Sequence, residues 1–136
     1  MAQHFAAELM VRFRENRRPL PGIAIADPSV LTAAANDLGW EQALARPVLA
    51  LAGPGDAVVA LSTSGESSAV LMAANAARQV GALLVALTGG TPNTLAALAH
   101  HAVCVPSRDT ARIQEMHLLV GHLWCEQIEE SIGQKV

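Results

Sequence analysis

The chain has 136 residues, 51% hydrophobic and 15% charged, with a formal net charge of −3 and a mean hydropathy of +0.31. That balance excludes a disordered chain, and no apolar run approaches the roughly 20 residues of a membrane span. With 3% aromatic residues, alanine, leucine and valine must supply the core of what reads as one compact domain. The first residues, Met1-Ala2-Gln3-His4-Phe5-Ala6-Ala7-Glu8, show neither a basic region nor a hydrophobic stretch before a cleavage site, which predicts a cytoplasmic protein. Cys104 and Cys125 read as buried free thiols. The mild acid excess speaks against direct nucleic-acid binding, although Arg12, Arg14, Arg17 and Arg18 cluster where a helix end or an anion contact is expected.

In chain order, Phe5, Leu9 and Phe13 give residues 2–16 an apolar helical side, stopped by Arg17-Arg18-Pro19-Leu20-Pro21-Gly22. Gly22 to Ala26 is predicted as a short buried strand ending at Asp27-Pro28. Helices are predicted from Ser29 to about Asp37 and from Trp40 to Ala52, the second closed by Gly53-Pro54-Gly55. Asp56 to Leu61 is a continuous apolar strand of the kind buried on both faces of a parallel sheet. A helix over about 67–80, a strand over 82–87, a short helix ending near Leu98 and a strand over 102–105 follow. The longest helix runs from Asp109 to about Glu130, with Ile113, Met116, Val120, Leu123 and Trp124 as its apolar stripe. Four strands alternating with helices predict an α/β fold, a three-layer doubly wound parallel sheet. Ligands are then expected beyond the strands' carboxyl ends, at Asp27, Ser62–Ser67, Thr88–Gly90 and Pro106–Ser107.

Chemistry concentrates in three places. Ser62-Thr63-Ser64-Gly65-Glu66-Ser67 leaves a strand and opens a helix, where free N–H groups, a positive dipole end and several hydroxyls suit a phosphate. A Walker A lysine and a GxGxxG pattern are both missing, which disfavours ATP and NAD; the plain alternative is a serine N-cap. On the first helix His4, Glu8 and Arg12 form one stripe, and by spacing alone a solvated face with a Glu8–Arg12 pair is favoured over a metal site. On the long helix Gln114, Glu115, His117 and His122 are polar, and Gln114 and His122 stand about 12 Å apart along the axis. His100 and His101 read as surface residues at a loop edge.

The strings His4-Phe-Ala-Ala-Glu8, Arg14-Glu-Asn-Arg17, Ala35-Asn36-Asp37, Leu61-Ser-Thr-Ser-Gly-Glu-Ser67, Leu87-Thr-Gly89 and the run Ala111 to His122 resemble phosphoheptose isomerases in order and spacing. The resemblance covers essentially the whole chain and implies a sugar isomerase (SIS) fold over residues 1–136. It also implies a fold shortened at its front, without the family's first helix, first strand and Gly-Asn-Gly-Gly-Ser loop. One zinc ion per subunit would be held by His4, Glu8, Gln114 and His122. Glu8 and His122 would act as base and acid. Asn36, Asp37, Ser62, Thr63, Ser64 and Ser67, with Glu8 and Gln114, would bind substrate.

The implied reaction is the isomerisation of sedoheptulose 7-phosphate to a heptose 7-phosphate for lipopolysaccharide core, in a homotetramer whose sites lie between subunits. Two departures stand out: Glu66 replaces the family's Asn, adding negative charge beside the expected phosphate, and Ala111 stands where some members have Asp. An alternative reading comes from the same family, which contains a non-catalytic DnaA initiator-associating protein. Gln3-His4-Phe5, Arg17 to Leu20 and Ala111 to His117 resemble it, whereas retention of His122 favours chemistry; an inactive phosphosugar-binding domain is a third reading.

Overall fold

The computed structural model describes residues 1–132, which fall into two compact units, one of residues 1–26 with 115–132 and the other Asp27–Gln114. In chain order the elements are α1 (Ala2–Met10), α2 (Pro28–Leu38), α3 (Gln42–Leu51), β1 (Ala57–Ser62), α4 (Ser68–Gln79), β2 (Leu83–Thr88), α5 (Thr94–Leu98), β3 (His101–Cys104) and α6 (Thr110–Ile132).

The unit Asp27–Gln114 carries an α/β arrangement with a parallel sheet of order β1-β2-β3. The register sets Ser62 beside Thr88 and Thr88 beside Cys104, so the strands finish level and the loops leaving them share one end of the sheet. β2 is central, and its Leu84, Ala86, Leu87 and Thr88 are fully buried. β1 departs from the expectation of a strand buried on both faces: Ala57 and Val59 are exposed, as an edge strand allows. α3 packs on α4 through alanines, Ala43 and Ala45 against a helix that buries Ala69, Ala73, Ala74, Ala76 and Ala77. Small side chains let the backbones approach closely but remove little area from water. Leu84, Leu87, Leu95 and Val48 therefore contribute most, about 1.5–3 kcal/mol each. At the start of α2 the Asp27 carboxylate accepts from the Val30 N–H at 3.0 Å and Pro28 takes the first turn, a helix start that the Asp-Pro pair signals.

In the unit formed by the two ends of the chain, α1 lies against α6, with Phe5 filling the space over Gly121. A Cβ on that glycine would stand 1.9 Å from Phe5 Cζ. Three expectations fail here. The first helix ends at Met10 instead of residue 16, because the N–H groups of Phe13, Arg14 and Glu15 donate to the Glu129 carboxylate and not to helical carbonyls. Residues 22–26 are no strand: no ladder pairs them among the described residues, and Gly22 instead lies against Leu9 and Ala6, so three strands are present where four were expected. The apolar stripe of α6 is also displaced. Its buried line is Ile113, His117, Gly121 and Cys125, whereas Met116 and Leu123 are 42% and 49% exposed. Small residues at 121 and 125 admit a close neighbour, which large side chains at 116 and 123 would hold off. No helix of the described residues is long and apolar enough to cross a membrane.

Candidate active site

His4 and Glu8 stand one turn apart on α1, so their side chains leave the same face, and α6 presents His122 to them. The Nε2 atoms of His4 and His122 are 2.9 Å apart, and Glu8 Oε1 is 3.5 Å from His4 Nε2. One ligand atom from each of the three residues lies within 4.8 Å of the others. Two imidazole nitrogens and a carboxylate oxygen form a donor set suited to zinc, whose tetrahedral ligands stand roughly 3.3 Å apart at bond lengths near 2.0–2.1 Å. The residues present therefore fit such an ion. His4 is exposed while Glu8 and His122 are half-buried, which leaves the cluster open to a ligand. The Phe13 ring stacks on the His122 imidazole, centroids 5.4 Å apart at 29°, and the Arg14 guanidinium lies 5.2 Å from the Phe13 centroid. The Glu8–Arg12 pair favoured by spacing is not among the ion pairs of the described residues; with α1 ending at Met10, Arg12 no longer follows Glu8 by one helical turn.

In the other unit, Ser62 closes β1 and the hydroxyl loop begins there. Ser62 Oγ accepts from the Gly65 N–H at 3.1 Å, and Ser64 Oγ accepts from the Glu66 N–H at 3.1 Å. Gly65 adopts φ +69°, and a Cβ there would come within 2.2 Å of Asn93 Oδ1, so conformation and space both require glycine. Ser67 is the N-cap of α4, yet its side chain makes no cap bond, and Ser64 and Ser67 are exposed. An ordinary serine cap, the plain reading of this loop, is thus not what the hydroxyl does.

The Glu66 carboxylate accepts from the Thr94 N–H and the Thr94 hydroxyl, both at 2.7 Å. These bonds, the hydroxyl's first, hold its carboxyl below the ordinary carboxylate range. The negative charge expected beside a phosphate is directed instead to the start of α5. Asn36 and Asp37 lie near the end of α2 and bond each other, Asn36 Nδ2 donating to Asp37 Oδ1 at 2.8 Å. Gln114 stands on α6 two turns before His122 and belongs to the Asp27–Gln114 unit. His117 is buried. His100 and His101 are exposed, as expected, and the His100 Nδ1 accepts from the Leu84 N–H at 2.8 Å. Neither cysteine is in a disulfide; Cys125 is buried and Cys104 half-buried.

Glu129, and Asn93 and Thr94 beside the hydroxyl loop, carry no local sequence signal, and nothing local ties Phe13 or Arg17 to His122. A Phe near a His, or an Arg distant from a Glu, is common in any helix-rich chain. Only the Arg14–Arg17 string pointed to this region.

A profile of the SIS domain matches residues 1–89, and the chain belongs to the SIS-domain proteins. It is 45% identical to the phosphoheptose isomerase of Aquifex aeolicus over 135 residues, which are 98% of this chain and 71% of that protein. To the phosphoheptose isomerase of Roseiflexus sp. it is 48% identical over 135 residues, 98% of this chain and 68% of that one. The solved phosphoheptose isomerase of Neisseria gonorrhoeae matches with a TM-score of 0.88 at 38% identity, covering 95% of this chain and 69% of that one. That of Francisella tularensis matches at 0.89 and 36% identity, covering 95% and 70%. Within the SIS-domain proteins the chain belongs to the phosphoheptose isomerase family and is an isomerase.

Proposed function

We propose that the protein interconverts sedoheptulose 7-phosphate and D-glycero-D-manno-heptose 7-phosphate, the heptose used for lipopolysaccharide core, in the cytoplasm. The observation that carries this reading is the convergence of His4, Glu8 and His122 within 4.8 Å in a chain of this family. In an aldose–ketose isomerisation a proton leaves the carbon beside the carbonyl, an enediol forms, and the proton returns to the neighbouring carbon. Glu8 is the base that takes and returns this proton at its carboxylate. His122 is the complementary acid toward the substrate oxygens, through the ring nitrogen that it does not offer to zinc.

His4, Glu8 and His122, with Gln114 as a fourth ligand, would hold one zinc ion per subunit. When bound, zinc supplies Lewis acidity toward the substrate's carbonyl and hydroxyl oxygens. The phosphate is taken by Ser62, Thr63, Ser64 and Ser67, helped by the uncapped start of α4; Asn36 and Asp37 bind sugar hydroxyls. A homotetramer with sites shared between subunits is supported by the outward apolar side chains of α6, Met116, Leu119 and Leu123. The test is turnover of sedoheptulose 7-phosphate by the zinc-loaded chain beside its Glu8→Gln variant. Loss of turnover in the variant supports the assignment, and undiminished turnover refutes Glu8 as the base. Capture of DnaA without any turnover would favour the regulator instead.

A further inference from the structure

We propose that the buried Arg17–Glu129 pair is a positioning device for the His4, Glu8 and His122 cluster, acting through the backbone of Glu8 and through the ring of Phe13. The inference rests on the reading of that cluster as the catalytic centre. Arg17 and Glu129 have side-chain exposures of only 3% and 5%, with Arg17 Nε donating to Glu129 Oε1 at 3.1 Å. A buried ion pair is a poor source of net stability, because desolvation offsets most of the attraction, so its worth here lies in the geometry it imposes.

That geometry reaches the cluster by two routes. Arg17 Nη2 donates to the Glu8 carbonyl at 2.7 Å, and Nη1 donates to the carbonyls of Leu9 at 2.8 Å and Arg18 at 3.0 Å. The guanidinium thus holds the last turn of α1 by the backbone of the residue whose carboxylate enters the cluster. Glu129 Oε1 accepts from the Phe13 N–H at 2.8 Å, and Oε2 accepts from the N–H groups of Arg14 and Glu15, each at 3.0 Å. Three adjacent amides gathered on one carboxylate fix the turn after α1. From that turn the Phe13 ring stacks on His122, which the His4 ring also meets edge-on at 5.2 Å and 68°. The imidazole is held between two rings, one placed by α1 and the other by Glu129. Neither Arg17 nor Glu129 is among the cluster's own three residues, and both are positioning residues.

The experiment measures zinc affinity of the full chain by competition with a chromophoric chelator, beside the ring resonances of histidine labelled with carbon-13 in the zinc-free protein. Arg17→Met and Glu129→Gln are expected to weaken zinc binding about tenfold or more, the range seen when groups that orient metal ligands are removed. Phe13→Leu should do the same without touching the ion pair. Arg17→Lys, which keeps the charge on a single donor nitrogen, should recover part of the affinity, and it remains informative if Arg17→Met does not fold. In the wild type the His122 ring signal should be displaced upfield by the stacked Phe13, and the displacement should collapse in Glu129→Gln and Phe13→Leu. Val48→Ala, a core change in the other unit, should lower Tm and leave zinc affinity unaltered, which separates positioning from general loss of stability. Wild-type affinity and an unmoved His122 signal in Arg17→Met and Glu129→Gln would overturn the proposal. A wild type that takes up no zinc would refute the metal reading of the cluster, and the His122 signal would still decide the positioning role.

Discussion

Glu129 carries a charge into a buried position, and its surroundings determine how that charge responds to acid. Burial alone would push its carboxyl up, but the amides of Glu15, Phe13 and Arg14 and the guanidinium of Arg17 outweigh burial and hold it below the ordinary carboxylate range. A carboxyl lowered in the folded state contributes stability that is fully present above its unfolded value, about 4.3, and is lost as the pH falls through the lower folded value. The melting temperature of the wild type should therefore fall more steeply below about pH 4.3 than that of Glu129→Gln. Parallel curves between about pH 6 and pH 3 would contradict this. Gly121 has a different constraint, since any Cβ there meets the Phe5 ring. Gly121→Ala should cost about 1–3 kcal/mol through displacement of Phe5, seen as a fall of several degrees in Tm. At Glu8, replacement of the carboxylate by an amide removes the base but keeps the shape; turnover should drop by about a hundredfold or more at unchanged Tm.

At the scale of elements, α6 has two apolar aspects with different uses. After Ile113 its buried line is small or polar, with His117, Gly121 and Cys125, while Met116, Leu119 and Leu123 point outward at 42%, 48% and 49% exposure. Their spacing of three and four residues puts them on one face, a surface suited to another copy of the chain. Leu119→Glu with Leu123→Glu should convert an assembled wild type into smaller species by sedimentation velocity. A wild type that is already monomeric would contradict the proposed assembly.

Periodicity located this helix to within two residues at each end, and it located β1, β2 and α2 to α5 nearly as well, because each has local apolar spacing bounded by Asp-Pro, Gly-Pro-Gly or Thr-Pro-Asn punctuation. It misjudged which face of α6 is buried, since side-chain volume decided that and not hydrophobicity. The end of α1 and the segment 22–26 were not legible, because Glu129 takes the amides of residues more than a hundred positions earlier and, among the described residues, no strand pairs with Gly22–Ala26. The same distinction runs through the site. Spacing on α1 alone favoured a solvated Glu8–Arg12 pair, and only the family resemblance joined His4 and Glu8 to His122. Phe13, Arg17 and Glu129 emerged from the packing of α1 against α6. In the hydroxyl loop, composition suggested an anion site, but the destination of the Glu66 carboxylate depended on where α5 begins.

For the whole molecule, the chain spans 71% and 68% of the Aquifex and Roseiflexus relatives, so its own turnover is the decisive quantity. The cluster of His4, Glu8 and His122 lies in the unit formed by the chain's two ends, and the hydroxyl loop lies in the unit Asp27–Gln114. The proposed proton transfer belongs to the first and the proposed phosphate binding to the second. Formation of heptose 7-phosphate from sedoheptulose 7-phosphate, followed in the purified chain with zinc, with a chelator, and in Glu8→Gln, tests this most directly. Turnover with zinc is expected, abolished by the chelator and lowered about a hundredfold or more by the substitution. Absence of turnover in a folded, zinc-bound chain, or turnover that survives Glu8→Gln, would contradict it.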